Sequence, residues 1–208
     1  MTVLGCLEAA WHAWARVGES LDGDRWRTPT RLPGWTVADL YAHHGGFPVA
    51  VAKLCAGPAI GEPPTYPDAA ALLAMFNGPG GPAHTMSHLV RDHAVGLAQG
   101  TPRAELLSRF TDLAPRALAA ASTMDPTARV SYGGMAVLLF GEVLRIGLME
   151  AVVHYLDLAR ALDLPVPGPV DGEPLRETVR LLAAVADPLA FVENATGRSA
   201  VEVLPVVR

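Results

Sequence analysis

Leu4, Leu7, Trp11, Trp14, Val17 and Leu21 recur at spacings of three and four, which predicts a first helix from Thr2 to Leu21. A longer apolar run, Met135 to Leu162, has the same period and stops before Pro165. Polar punctuation sets the rest. The stretch from Asp22 to Gly34, rich in Arg and Pro, reads as a loop, and Pro33-Gly34 is turn chemistry. Thr36 with Asp39 is close to a capping box and starts a second helix through His43. Gly45, Gly46 and Pro48 predict a kink or close packing soon after. Gly57 to Pro67 is loop, Pro67 to Asn77 a short helix, and Gly78 to Pro82 a breaker. His84 to Gln99 is a third helix ended by Gly100. Thr101 as cap and Pro102 at the first position start another, which Pro115 kinks or splits. Met124 to Gly134 reads as loop, Asp171 to Phe191 as the last helix, and Ser199 to Val207 as a short strand or extended tail. The expected architecture is all-α, a bundle of four main helices with extras.

Composition narrows the function classes. The 208 residues, half of them hydrophobic, are enough for one domain with a sizeable core. A net charge of −5 with no block of Lys or Arg argues against nucleic acid as a partner. Lys53 is the only lysine. Cys6 and Cys55 have no zinc-like spacing and read as small core residues. The first residues carry Glu8, His12 and Arg16 and do not read as a signal peptide. The most apolar stretch is broken by Glu142, Arg145, Glu150, His154, Asp157 and Arg160, so no membrane span is expected and a cytoplasmic location is the default.

Those interruptions hold the candidate chemistry. Glu150 and His154 stand at i and i+4, so they share one face of the long helix. Burying a carboxylate is costly unless it is paired or bound to a metal. His43, on the apolar face of the second helix, supplies a third donor. Two His and one Glu are a workable zinc set with one position open. The competing reading is a buried Glu paired with an Arg and a His satisfied by a backbone carbonyl. Asp157 is placed to accept from the second ring nitrogen of His154, or else to pair in solvent with Arg160. His44, one step of about 100° from His43, is expected on the outer side. His84 and His88 form a second i, i+4 pair without a carboxylate or Cys to complete a set, so a pocket-lining or solvated role is favoured over a metal. Arg91 faces either a cavity or Asp92. Trp11, Trp14, Trp26 and Trp35 read as core or pocket wall, and the Gly78–Gly81 stretch lacks the Lys and Ser/Thr of a phosphate loop.

Two of these stretches resemble a known family. Leu32-Pro33-Gly34-Trp35-Thr36-Val37-Ala38-Asp39-Leu40-Tyr41-Ala42-His43 resembles the start of the second helix in the DinB-like superfamily, specifically its mycothiol-dependent maleylpyruvate isomerase N-terminal type. Glu150-Ala151-Val152-Val153-His154-Tyr155-Leu156-Asp157-Leu158-Ala159 resembles that family's last bundle helix. The resemblance covers roughly residues 1 to 165. It implies an up-down-down-up four-helix bundle with His43, Glu150 and His154 as ligands of a divalent metal, typically zinc. It also implies a low-molecular-weight thiol, mycothiol, as cosubstrate. The isomerase proper carries a further α/β domain, for which the residues after Leu164 look too few; residues 166–208 are expected to form a C-terminal helix and tail on the bundle. The expected function is a metal-dependent, thiol-using transferase or cis–trans isomerase acting on a small electrophilic metabolite. A non-catalytic ligand-binding bundle and a thiol-independent Lewis-acid enzyme are the alternatives. Tyr41, His84, His88 and Arg91 are the candidates for a polar cavity mouth that receives the thiol. A homodimer is left open.

Overall fold

Thr2 accepts a hydrogen bond from the Gly5 amide and opens α1 (Val3–Ser20). The stripe of α1 that carries Leu7, Ala10, Trp11 and Trp14 is buried against α9 (Phe140–Ala161). The Trp14 indole donates to the carbonyl of Ala151 at 3.0 Å, so one residue supplies both packing and register between these helices. The computed structural model describes residues 1–58, 60–166, 168–199 and 203–207.

The second helix, α2 (Val37–His44), begins with a complete capping box: Thr36 accepts from the Asp39 amide and Asp39 from the Thr36 amide. It breaks at Gly45, and α3 (Gly46–Ala56) follows. Packing requires glycine at the junction. A Cβ on Gly45 would stand 2.6 Å from the Tyr41 carbonyl oxygen and 2.9 Å from Arg109 Cδ. Pro48 falls in the first turn of α3, where its missing N–H has no helical acceptor in any case. The break ends α2 at His43 and His44, and Phe47 follows in the first turn of α3.

The remaining helices are α4 (Ala69–Asn77), α5 (Pro82–Thr85), α6 (Ser87–Gly100), α7 (Arg103–Ser108), α8 (Ala114–Ala121), α10 (Glu173–Val185) and α11 (Pro188–Ala195). A π turn, Arg109–Leu113, joins α7 to α8. Pro115 causes it: the ring crowds the carbonyl four residues back, and a wider turn relieves the crowding. Around the α1–α9 pair, α3 packs on α8, α2 on α6 and α9, and α10 on α9, α4 and α1. The fold is an all-α bundle of the DinB-like kind with one small hairpin. Among the described residues no helix is long and apolar enough to cross a membrane.

The hairpin is the main departure from the sequence reading. β1 (Arg129–Tyr132) pairs antiparallel with β2 (Ala136–Leu139), with Arg129 opposite Leu139 and Tyr132 opposite Ala136. The sequence pattern predicts a loop through Gly134 and the long helix from Met135. Gly133 and Gly134, at φ 59° and 75°, make a turn that side chains with a Cβ resist. Thr65 then clips β2 from its other edge, donating its amide to the Val137 carbonyl at 2.7 Å and accepting from the Val137 amide at 2.9 Å. Other boundaries shift for local reasons. The helix expected from His84 divides at Met86. The helix expected from Asp171 divides because Pro188 starts α11, which Asp187 caps by accepting from the Ala190 amide. Pro102, and not Thr101, flanks α7, with no side-chain cap. Of the tail read as a strand, residues 200–202 lie outside the described residues and residues 203–207 form none.

Candidate metal centre

His43 sits in the last turn of α2, and Glu150 and His154 stand one turn apart on α9. The packing of α2 on α9 brings the three together. Glu150 Oε2 lies 3.3 Å from His154 Nε2 and 3.7 Å from His43 Nε2. All three donor atoms fall within 4.8 Å of one another. Ligands held at 2.0–2.2 Å around a tetrahedral zinc are about 3.3–3.6 Å apart; the His154 distance falls within that range and the His43 distance just beyond it. The side chains are 22 %, 24 % and 14 % exposed for His43, Glu150 and His154, so the group is neither sealed nor on open surface. The donor set therefore fits a divalent cation with a position left open.

The ring of His154 is held from behind. His154 Nδ1 lies 3.0 Å from Asp157 Oδ2, which leaves Nε2 for the Glu150 side. Asp157 is itself buried and accepts from Arg31 Nε at 2.5 Å. The partner foreseen in solvent, Arg160, is not the one used. Trp35 stands edge-on to His43, with ring centroids 5.2 Å apart, and lies nearly parallel to His154 at 6.3 Å. One indole thus walls both imidazoles.

Charge follows from this arrangement. Burial opposes the Glu150 carboxylate, but hydrogen bonds and positive charge from His154 and His43 hold it far below the usual carboxylate range. Burial likewise opposes a charged His154. Its hydrogen bonds to Asp157 and Glu150, with their negative charges, win and push it up to about 9. Burial also works against ionised Asp157, and the His154 and Arg31 hydrogen bonds keep it ionised. Without a metal the site is an ion-paired cluster with a proton on His154.

His44 is not the outer residue its position suggested. It is completely buried, accepts from Trp11 Nε1 at 3.1 Å, and packs on Trp14 and Phe110. At about 100° per residue His43 and His44 flank Leu40 at roughly −60° and +40°, so an apolar face of ordinary width takes both. Burial first, then the neighbouring His154, holds His44 neutral, well below its ordinary value. Its Nδ1 finds no partner among the described residues.

The four residues expected at a cavity mouth fall elsewhere. Tyr41 is fully buried, and its hydroxyl donates to the Trp14 carbonyl at 2.8 Å, so it belongs to the core. His84 is exposed, with a ring nitrogen 3.0 Å from the Asn77 carbonyl, and His88 is exposed on α6. Arg91 pairs with Asp92, while its Cδ lies 3.6 Å from where a Cβ on Gly34 would be, beside the turn that carries Trp35. None of the four lines the cavity that does adjoin the triad. That cavity, of about 410 Å³, lies between α3 and the hairpin turn, with His43 in its wall. Tyr132, Lys53 and Arg31 are the site's neighbours that the sequence reading missed. Only their place in the fold, and no local spacing, puts them there.

Residues 7–159 match the family described as the mycothiol maleylpyruvate isomerase N-terminal domain. No curated protein and no solved structure matches the chain. The matched stretch runs from the second turn of α1 to the last turn of α9 and includes all three converging side chains. The chain belongs to the mycothiol maleylpyruvate isomerase N-terminal domain family.

Proposed function

We propose that His43, Glu150 and His154 hold one divalent cation, zinc, and that the protein is a thiol-using transferase or cis–trans isomerase acting on a small electrophile, with mycothiol as the thiol. The observation that carries this is the convergence of two imidazoles and one carboxylate beside an open cavity. Bound zinc would lower the pKa of a thiol and so supply a thiolate nucleophile near neutral pH.

The chain's own residues prepare for that chemistry. Glu150 stays ionised and brings the negative charge that a cation needs. Asp157 fixes the ring of His154 with Nε2 turned to the site, and Arg31 fixes Asp157. Trp35 closes one side of both rings. His43 forms part of the cavity wall, so a molecule in the cavity meets the site directly. The expected unit is the bundle of residues 1–165 with residues 166–208 packed on it.

The test is metal analysis of the purified protein followed by calorimetry with mycothiol. Binding should need both bound metal and a free sulfhydryl. Equally tight binding of S-methyl mycothiol to metal-free protein would overturn the thiol reading. Turnover of an electrophile without any thiol would replace it with Lewis-acid catalysis.

The support behind His154 has its own measurable consequence. Asp157→Asn should lower zinc affinity about 10–100-fold, read by competition with a chromophoric chelator. Its melting behaviour without metal separates this from misfolding. Unchanged affinity would mean that Asp157 serves only the fold.

A further inference from the structure

The cavity beside His43 has a composition that the metal centre does not explain. Phe47, Val51, Leu54, Met135 and Val143 give it an apolar lining. Its volume of about 410 Å³ lies at the small end of the usual range for small-molecule pockets, roughly 300–1,000 Å³. It is also seated against the centre. A Cβ on Gly147 would stand 3.4 Å from Phe47 Cδ1, so the Phe47 ring rests on α9 one turn before Glu150. A bulky polar thiol would be poorly matched to these walls, because its hydroxyl and amide groups would lose water without partners.

Two polar groups in the lining keep donor capacity to spare. Tyr132 is half-buried at the end of β1, and its hydroxyl makes no hydrogen bond to the described residues. Burial and the nearby Glu150 charge hold its proton in place, so it offers a donor at any ordinary pH. Lys53, on the exposed side of α3, has no acidic partner among the described residues. The Ser131 oxygen accepts from the Gly134 amide at 3.2 Å, which ties that side chain to the hairpin turn.

We propose that this cavity is the seat of the electrophile and that it takes a small molecule with an apolar body and two acceptor ends: a carbonyl-type oxygen that receives the Tyr132 hydroxyl, and an anionic group, such as a carboxylate, paired with Lys53. The inference rests on the proposed function, since it names the substrate class for that site. Tyr132 and Lys53 are binding residues in this view. An apolar wall with a donor at two points selects for this pattern, because burying an unmatched donor costs more than a matched one returns.

The test uses the zinc-loaded full chain and two probes that carry no activated alkene for a thiol to add to. One, 4-(3-oxobutyl)benzoate, carries a ketone and a carboxylate. The other, 4-butylbenzoate, lacks the ketone. Calorimetry should show both binding to the native protein, the ketone tighter. Ala50→Trp, at an exposed lining position, should fill the cavity and weaken both at least tenfold. Tyr132→Phe should weaken the ketone probe about 3–10-fold and leave 4-butylbenzoate unchanged. Lys53→Gln should weaken both and flatten their salt dependence. Melting curves of the variants without probe confirm that each is folded. Probe affinities untouched by Ala50→Trp, or weakened equally for both probes by Tyr132→Phe, would overturn the proposal, as would no binding at millimolar concentration. The probes need no thiol, so the cavity can pass while the mycothiol test fails, and the reverse.

Discussion

Stripping the metal with a chelator should lower the melting temperature by about 5–15 °C, and Glu150→Gln should erase that difference. A ligand that binds only the folded state at 100–1,000 times its dissociation constant stabilises by about 2.7–4.1 kcal/mol. For a chain of this size each kcal/mol moves the midpoint by roughly 2–4 °C. The three donors come from two helices that only the packed bundle brings together, so the unfolded chain offers no comparable site. Glu150→Gln keeps the shape of the side chain and removes the charge on which both imidazoles converge. Metal content should fall from near one per chain to near zero in the variant. Identical melts of the native protein with and without chelator, after zinc has been supplied, would show that the cluster is an ion-paired network and nothing more.

What the sequence made legible was local. Thr36 with Asp39 and the pairing of Asp157 with His154 are both set by positions three residues apart, where helical geometry leaves little freedom. The same geometry put Glu150 and His154 on one face, and His43 needed only a second helix of the right orientation. Arg31 was out of reach of such reasoning: it meets Asp157 across 126 positions of chain. His44 was misplaced because the periodicity was read too narrowly. A face that buries Leu40 holds both flanking positions, and Trp11 on another helix supplied the partner that made burial affordable. Tyr41 was misread in the opposite sense. Its hydroxyl looked like a reason for exposure, yet the Trp14 carbonyl satisfies it inside the core. The hairpin was hidden because Ala136 to Leu139 continues without a break into the apolar run of α9, and four residues are too few to separate a period of two from one of 3.6. The lining of the cavity was out of reach for the same reason, since one of its walls is that hairpin.

The pH dependence of stability should reverse sign when zinc is added. In the metal-free protein His154 keeps its proton to about 9 in place of the ordinary 6.5, held by Asp157 and Glu150. The folded state therefore binds a proton that the unfolded chain has released between those values, and it loses stability as pH rises through the window. The contribution is complete below 6.5 and gone above about 9. At 1.36 kcal/mol per pH unit it amounts to at most about 3 kcal/mol, and the depressed carboxylates are the same interactions seen from their partners, so they add nothing to it. His44 acts on the other side. Being buried and neutral, it favours folding above its ordinary value and loses that contribution as pH falls, so it does not offset His154 in this window. With zinc present the proton on His154 Nε2 competes with the metal, and raising the pH removes the competitor. Melting temperatures at pH 6.5 and pH 9 should thus fall with pH in chelator and rise with pH in saturating zinc. His154→Gln should abolish both trends. Parallel declines in chelator and in zinc would show that His154 keeps its proton and is no ligand, whereas a flat profile in chelator would show that Asp157 and Glu150 do not hold that proton.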